Sequence, residues 1–233
     1  MSQLDQIEKK YDFVYPKLYR KLYDDGMFNW GKFGPNWYAT YWEKHKLDPP
    51  LLFFDPEYEP IELNQVIEEI ETMKDPEDYR GIPSEYKLIP FAMTGGGDLY
   101  AFQFDKQCGE NVPITLVHHD GGIPSLMAKN IQDFIFRRMI ECVVDVKYSK
   151  KASDGDLKAN IFNMLRTHKP YLTQHQAKKV EEIYSRNLFE YKNKVPSGYE
   201  YTITGLISMD ESENVLRQEL EIEGLDIGFA FLG

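Results

Sequence analysis

The chain has few of the residues that usually reveal a protein's chemistry. Among 233 residues there are two cysteines, Cys108 and Cys142, and five histidines. Because neither cysteine has metal-ligand spacing around it, the sequence predicts two reduced thiols and no disulfide framework. Long apolar runs are also missing, and the first ten residues, MSQLDQIEKK, lack the apolar stretch of a secretory signal. We therefore expect a cytoplasmic protein.

Motifs of the common enzyme classes are missing as well. The sequence has no HExxH and no GxSxG. The run Gly95–Gly97 lacks the lysine and the serine or threonine of a phosphate-binding loop, and it precedes a strand-like run rather than a helix. Residues Asp154–Asp156 supply too few carboxylates for a calcium loop. We therefore expect no catalytic residue, no metal site and no cofactor, and predict that the protein is not an enzyme.

One group of adjacent residues is a candidate for catalysis. His118, His119 and Asp120 are of the types that form metal sites and acid–base pairs. In a strand, however, neighbouring side chains point to opposite faces, so the two histidines could not bind one ion without a bend. A hydrolase that uses these three residues remains an alternative.

Charge is unevenly distributed along the chain. The net charge is -11, yet Lys150–Pro196 holds ten basic and five acidic residues. By contrast, Asp48–Glu85 holds twelve acidic residues against only Lys74 and Arg80. An acidic surface repels nucleic acid and anionic membranes, so we expect neither as a partner. A basic protein partner suits this charge instead.

Three strand-like runs in the middle of the chain predict a small antiparallel sheet. They are Leu88–Met93, Leu99–Phe104 and Val112–His119. The glycines after Thr94 supply a tight turn between the first two runs. In the second run Tyr100, Phe102 and Phe104 fall on one face, because side chains alternate along a strand. That aromatic face must be covered.

Helical periodicity on both sides of these runs supplies the cover. Apolar stripes predict helices in the segments Ile7–Leu22, broken at Pro16, Leu63–Met73, Ile131–Val143 and Ala177–Leu188. We expect the Ile131–Val143 helix to lie across the aromatic face. Beyond Pro196 the period changes to two, which predicts a hairpin of Tyr199–Met209 with Val215–Glu223 and a last strand at Leu225–Phe231.

The predicted fold class is α+β. We expect an antiparallel sheet with helices packed on one face, followed by a C-terminal helix and β-hairpin extension. The polar connector Tyr148–Asp156 predicts a boundary between a domain at 1–149 and an extension at 150–233 that packs on it without being independent.

The order of these features resembles the SUKH superfamily, over Ile7–Val146. The most specific segment is IPFAMTGGGD, which begins at Ile89. The resemblance implies an α+β fold and a structural motif made of Pro90, Phe91, Gly97 and Asp98. We expect the glycine to form the turn and the aspartate to cap backbone amides within it.

The resemblance also implies a function. The superfamily includes yeast regulators of cell-wall glucan synthesis and bacterial immunity proteins that bind toxin domains of polymorphic toxin systems. We expect a non-enzymatic immunity protein that neutralises a cognate toxin domain, such as a basic nuclease, by direct binding. A regulatory scaffold of the cell-wall type is the alternative. The chain departs from the family pattern in an acidic and aromatic insertion between Gly26 and Leu88 and in an extension after Val146.

The insertion provides the predicted partner surface. Its acidic part, Asp55–Asp78, would attract a basic partner, and the aromatic part, Trp30–Trp42, would supply anchors. The predicted interface residues are Trp37, Trp42, Glu57, Glu59, Glu68, Glu69 and Glu71. The alternatives are that the aromatic residues fold onto the core and that the glutamates form only a solvated helix face.

Overall fold

The described residues fall into two compact units. The computed structural model describes residues 1–194 and 198–220. One unit comprises residues 1–25 and 57–134, and the second comprises 26–56 and 135–220. The predicted domain boundary at residue 149 stays a prediction. Within the described residues, no helix combines the length and the apolar character that crossing a membrane requires.

Helices and antiparallel strands together confirm the predicted α+β class. The helices are α1 (Gln3–Tyr11), α2 (Lys17–Asp24), α3 (Trp37–Leu47), α4 (Leu63–Lys74), α5 (Ile131–Glu141), α6 (Lys150–Ser153), α7 (Leu157–His168), α8 (Gln174–Tyr184) and α9 (Met209–Leu220). The strands are β1 (Glu59–Pro60), β2 (Leu88–Met93), β3 (Leu99–Gln103), β4 (Ile114–Val117), β5 (Ser125–Ala128), β6 (Phe189–Lys194) and β7 (Glu200–Gly205).

The first unit is built on a five-stranded antiparallel sheet. Its strands follow one another in the order β1-β2-β3-β4-β5. β2 and β3 form the predicted hairpin, in which Ile89 lies opposite Phe102 and Met93 lies opposite Leu99. β4 pairs with β3 over Ile114–Val117 and is therefore shorter than the predicted run.

The aromatic face of the sheet is covered as predicted. Phe102 is fully buried, and the Tyr19 ring of α2 meets it edge-on at 5.2 Å between centroids. From α5, the Phe134 ring meets Tyr100 at 4.8 Å. Aromatic rings prefer such edge-to-face contacts because their edges and faces carry opposite partial charge. Helix α2 and the first turn of α5, up to Phe134, are therefore held on this face by ring contacts.

The opposite face of the sheet is buried too. Leu99 and Ala101 pack in a cluster with Met73, which comes from the last turn of α4. Ile82 and Tyr86, in the segment between α4 and β2, pack against the same cluster. Because both faces are covered, Gln103 is also buried, and its side-chain oxygen accepts a hydrogen bond from the Thr115 hydroxyl at 2.8 Å.

The predicted hairpin near the C-terminus is wrong in its residues. The hairpin forms between β6 and β7, and Asp210–Asn214, the segment between the two predicted hairpin strands, lies inside helix α9. The Ser208 hydroxyl accepts a hydrogen bond from the Glu211 amide at 3.2 Å, which is the geometry of a helix N-cap. Leu216 and Leu220 form the buried face of this helix. Residues 221–223 and the predicted strand Leu225–Phe231 lie outside the described residues.

A buried ion pair lies in the second unit. Asp55 is 0% exposed, and its two carboxylate oxygens accept hydrogen bonds from Nε and Nη2 of Arg138 at 2.6 and 2.7 Å. The same guanidinium donates to Glu141 at 2.7 Å. Removing Asp55 would leave the buried guanidinium with Glu141 but without its bidentate carboxylate, and losing one partner of a buried pair costs more than the pair itself contributes.

We expect Asp55→Asn to lower the free energy of unfolding by about 3 kcal/mol, because Arg138 would keep a buried charge without its bidentate partner. Urea unfolding followed by circular dichroism measures this change. The matched control is Asp48→Asn, which removes a carboxylate that pairs with Arg166 in an exposed position. That change should cost less than about 1 kcal/mol. Equal losses for both variants would contradict a special role for the buried pair.

His168 is a second buried polar group of this unit. Its Nε2 accepts a hydrogen bond from the Leu52 amide at 2.8 Å. Its Nδ1 donates a hydrogen bond to the Met164 carbonyl, also at 2.8 Å. These partners require the neutral ring. Burial lowers the pKa of His168 to about 4, since the charged form would lose its hydration.

The low pKa of His168 predicts a loss of stability in mild acid. The unfolded chain binds a proton near pH 6.5 and the folded chain only near pH 4, so stability falls as the pH drops through this window. When the pH is lowered from 7 to 5.5, protonation of this histidine in the unfolded chain should reduce the free energy of unfolding by about 1 kcal/mol. Urea unfolding at each pH should show a shallower pH dependence for His168→Gln. A His168→Gln slope equal to wild type would refute the assignment.

Candidate functional site

The turn between β2 and β3 contains half of the predicted family motif. Gly97 has φ +92°, a backbone conformation that a side chain would strain. The Thr94 hydroxyl accepts hydrogen bonds from the amides of Gly96 and Asp98 at 3.2 and 3.1 Å. Thr94 therefore caps the amides within the turn, a role that the sequence analysis gave to Asp98.

The Asp98 carboxylate binds the end of β4 instead. It accepts hydrogen bonds from the His119 amide at 3.0 Å and from the His119 ring Nδ1 at 2.7 Å. The Nδ1 atom of His118 lies 3.3 Å from the other carboxylate oxygen. We call these three residues the histidine–aspartate cluster. Partial burial works to raise the pKa of Asp98, but the bonds from His119 and the nearby His118 outweigh it and lower the pKa.

The cluster differs from the predicted catalytic group. β4 ends at Val117, so His118 and His119 lie beyond the strand and both turn their Nδ1 atoms to Asp98. Asp120 is not part of the cluster, because its carboxylate accepts a hydrogen bond from the Gly122 amide at 3.0 Å. The cluster thus joins the turn after β2 to the loop after β4, residues that lie twenty positions apart in sequence.

The other half of the motif lies in the core. The pairing of β2 with β3 shifts between Pro90 and Ala92, which leaves Phe91 at a bulge. The ring of Phe91 meets Phe102 at 4.7 Å and Phe134 at 5.5 Å. Pro90 and Phe91 therefore shape the aromatic face, while Gly97 and Asp98 shape the turn. The role of these four residues as a family motif stays a prediction.

The exposed face of α4 carries most of the predicted interface glutamates. Glu68 and Glu71 are exposed and Glu69 is half-buried, with Arg80 at 3.6 Å. Glu71 binds the Lys10 ammonium at 2.8 Å and accepts a 2.6 Å hydrogen bond from the Tyr11 hydroxyl. Both partners lower the pKa of this carboxyl, and Lys10 has the larger effect. Within the described residues, neither Glu68 nor the exposed Glu62 before the helix has an ion-pair partner.

The remaining interface residues lie elsewhere. Glu57 and Glu59 are half-buried beside or within β1 of the first unit. Trp37 and Trp42 belong to α3 in the second unit. Trp42 is only 2% exposed and donates its indole hydrogen to Asp154 at 2.7 Å, so its ring does not face a partner in this conformation. Trp37 is half-buried and stacks on the exposed ring of Phe33 at 5.6 Å.

The two units differ in net charge. The described part of the first unit holds twenty acidic and ten basic residues, a net charge of -10. The described part of the second unit holds fifteen acidic and seventeen basic residues, a net charge of +2. The acidic excess of the chain is therefore concentrated in the unit that contains α4.

Among the described residues, the reactive side chains show no arrangement for metal binding. Across residues 1–194 and 198–220, no set of three or more His, Cys, Asp or Glu side chains could hold a metal ion. Both cysteines are free thiols, with Cys108 exposed and Cys142 buried. Burial disfavours the thiolate and raises the pKa of Cys142 to about 12.

The histidine–aspartate cluster makes a testable contribution to stability. Asp98→Ala should lower the free energy of unfolding by about 1–2 kcal/mol, because the His119 amide and both rings lose their acceptor. Hydrogen exchange at the His119 amide should become faster in this variant. The control Asp120→Ala removes a carboxylate of the same loop and should leave that exchange rate unchanged. Unaltered exchange in Asp98→Ala would show that the bond to the turn does not hold the loop.

Comparisons with known proteins give the family of the chain. The SMI1 / KNR4 family (SUKH-1) matches residues 2–137, which is more than half of the chain and includes the whole five-stranded sheet. No curated protein and no solved structure matches the chain significantly. The matched segment contains the predicted motif and the acidic insertion, and it confirms the resemblance that the sequence suggested. The chain therefore belongs to the SMI1 / KNR4 family (SUKH-1).

Proposed function

We propose that this protein is a non-enzymatic immunity protein that neutralises a cognate bacterial toxin in the cytoplasm by direct protein–protein binding. The observation that supports it best is the net charge of -10 on the first unit, against +2 on the second. An inhibitor that acts by binding needs a complementary surface and no catalytic residues. A basic toxin domain, such as a nuclease, is the partner that this charge fits.

Helix α4 is the proposed centre of the contact. The carboxylates of Glu62 and Glu68 are exposed and have no ion-pair partner among the described residues, so their charge is available to a partner. Glu71 is already bound to Lys10, so less of its negative charge is available to a partner protein. Exposed charges of this kind act mainly on the rate of association and on its salt dependence.

In the first experiment, the tagged protein captures its partner from a lysate of its own host, at low and at moderate salt. Mass spectrometry then identifies the bound proteins. The proposal expects one stoichiometric partner with a toxic domain, whose toxicity co-expression of this protein suppresses. Several housekeeping partners without such protection would favour the regulatory scaffold. The hydrolase alternative is tested by replacing His118, His119 and Asp120 with alanine, which should leave protection intact in a folded protein.

The role of α4 is tested by a pair of charge variants. Glu62→Gln combined with Glu68→Gln should slow association with the captured toxin domain about threefold to tenfold at low salt, because steering weakens. Glu43→Gln combined with Glu213→Gln removes the same charge from exposed positions of the second unit and should change the rate less. Surface plasmon resonance at two salt concentrations measures both. Equal slowing by the two variants would place the contact elsewhere.

A further inference from the structure

A cavity of about 630 Å³ lies in the first unit. It is bounded by the C-terminal half of α4, the segment before β2 and the start of β2. Its volume is in the range of sites that hold small molecules. The apolar lining comes from Ile70, Met73, Ile82, Leu88 and Ile89. Such a lining favours a hydrocarbon group over a polar one, since every apolar atom that enters leaves water.

Lys74 and Lys87 are among the polar residues that line the cavity. The Lys74 ammonium lies 4.6 Å from the centre of the Tyr11 ring. Lys87 donates a hydrogen bond from its ammonium to the backbone carbonyl of Asp12. In the described part of the chain, neither lysine has a carboxylate partner within ion-pair distance. Neither ammonium therefore has a direct ion pair, although the charge of Lys74 also helps to lower the pKa of Glu71.

Two carboxylate residues, Asp75 and Glu85, also line the cavity. Asp75 accepts a hydrogen bond from the Glu77 amide at 2.9 Å, and Glu85 is exposed. Glu71, on the neighbouring turn of α4, is bound to Lys10 and to the Tyr11 hydroxyl. An anionic ligand would thus meet two lysines without having to displace an existing salt bridge.

We propose that this cavity binds an amphipathic carboxylate, a molecule with a hydrocarbon body and one anionic head. The body lies against the side chains of Ile70, Met73, Ile82 and Leu88, and the head pairs with Lys74 and Lys87. The inference is independent of the proposed immunity function, because it concerns a ligand of the isolated chain.

Three probes of equal chain length test the class of ligand. Decanoate, decanol and decyltrimethylammonium, each below its micelle concentration, are titrated into the full-length protein by calorimetry. Decanoate should bind about tenfold more tightly than decyltrimethylammonium, because the cation meets two ammonium groups. Shortening decanoate to octanoate should weaken binding, by roughly fourfold for each methylene removed from contact. Equal or tighter binding of the cation would overturn the anionic part of the proposal.

Methyl NMR locates the site on the wild-type protein. Decanoate should shift the methyl signals of Ile82, Met73 and Leu88. The methyl groups of Ile161 and Met164, buried in the second unit, serve as internal controls and should not shift. Absence of any shift around Ile82, or shifts confined to the second unit, would overturn the proposed site without any need for a variant.

Two substitutions distinguish the contacts made by the anionic head of the ligand from those made by its hydrocarbon body. Lys74→Gln should weaken decanoate about threefold to fivefold and leave decanol unchanged. The matched control Lys17→Gln removes an exposed lysine that pairs with Glu110 and should change neither probe. Ile82→Trp, checked for folding by circular dichroism, should weaken both decanoate and decanol by narrowing the cavity. Unchanged decanoate affinity in Lys74→Gln would show that this lysine does not recognise the head.

Discussion

The ring of Phe102 has aromatic neighbours from four different parts of the first unit. It contacts Tyr15 at 6.2 Å, Tyr19 at 5.2 Å, Phe91 at 4.7 Å and Phe104 at 6.0 Å between ring centres. These contacts determine where α2 and the bulge of β2 lie against the sheet. With this face closed, the turn after β2, the histidine–aspartate cluster and the exposed face of α4 can be carried on a rigid core.

The chain uses charged side chains in two ways. In the second unit, the carboxylate of Asp55 is buried and its charge is compensated by Arg138, so this charge acts within the core. The first unit leaves Glu62 and Glu68 exposed, where water compensates them. Exposed charges cost little stability and remain free to act at a distance, whereas buried ones must be matched within the fold.

The sequence predicted the parts of the fold whose signals are local. The alternation at Tyr100 and Phe102 and the glycines before Asp98 were sufficient for the central hairpin, because strand period and turn chemistry act over a few residues. The partners of Asp98 could not be predicted this way, since the pairing with His118 and His119 depends on the register of distant strands. The prediction of the C-terminal hairpin was wrong for a local reason. Ser208 and Glu211 form the N-terminal cap of a helix, and this signal outweighs the alternating pattern of the sequence. Among the predicted interface residues, Trp42 is buried, as the alternative that the aromatic residues fold onto the core predicts. Aromatic type alone does not distinguish an anchor from a core residue.

The chain enters the second unit at residue 26, leaves it at residue 57 and returns at residue 135. During synthesis, Asp55 therefore emerges long before Arg138, and Leu52 long before His168. At about 5–20 residues per second, the ribosome needs roughly five to twenty seconds to supply these partners. Over that interval the segment 26–56, with its three tryptophans, is without its partners from residue 135 onwards, while the sheet of the first unit is being synthesised. The order of the chain thus completes all five strands of that sheet before the buried pair of the second unit can form.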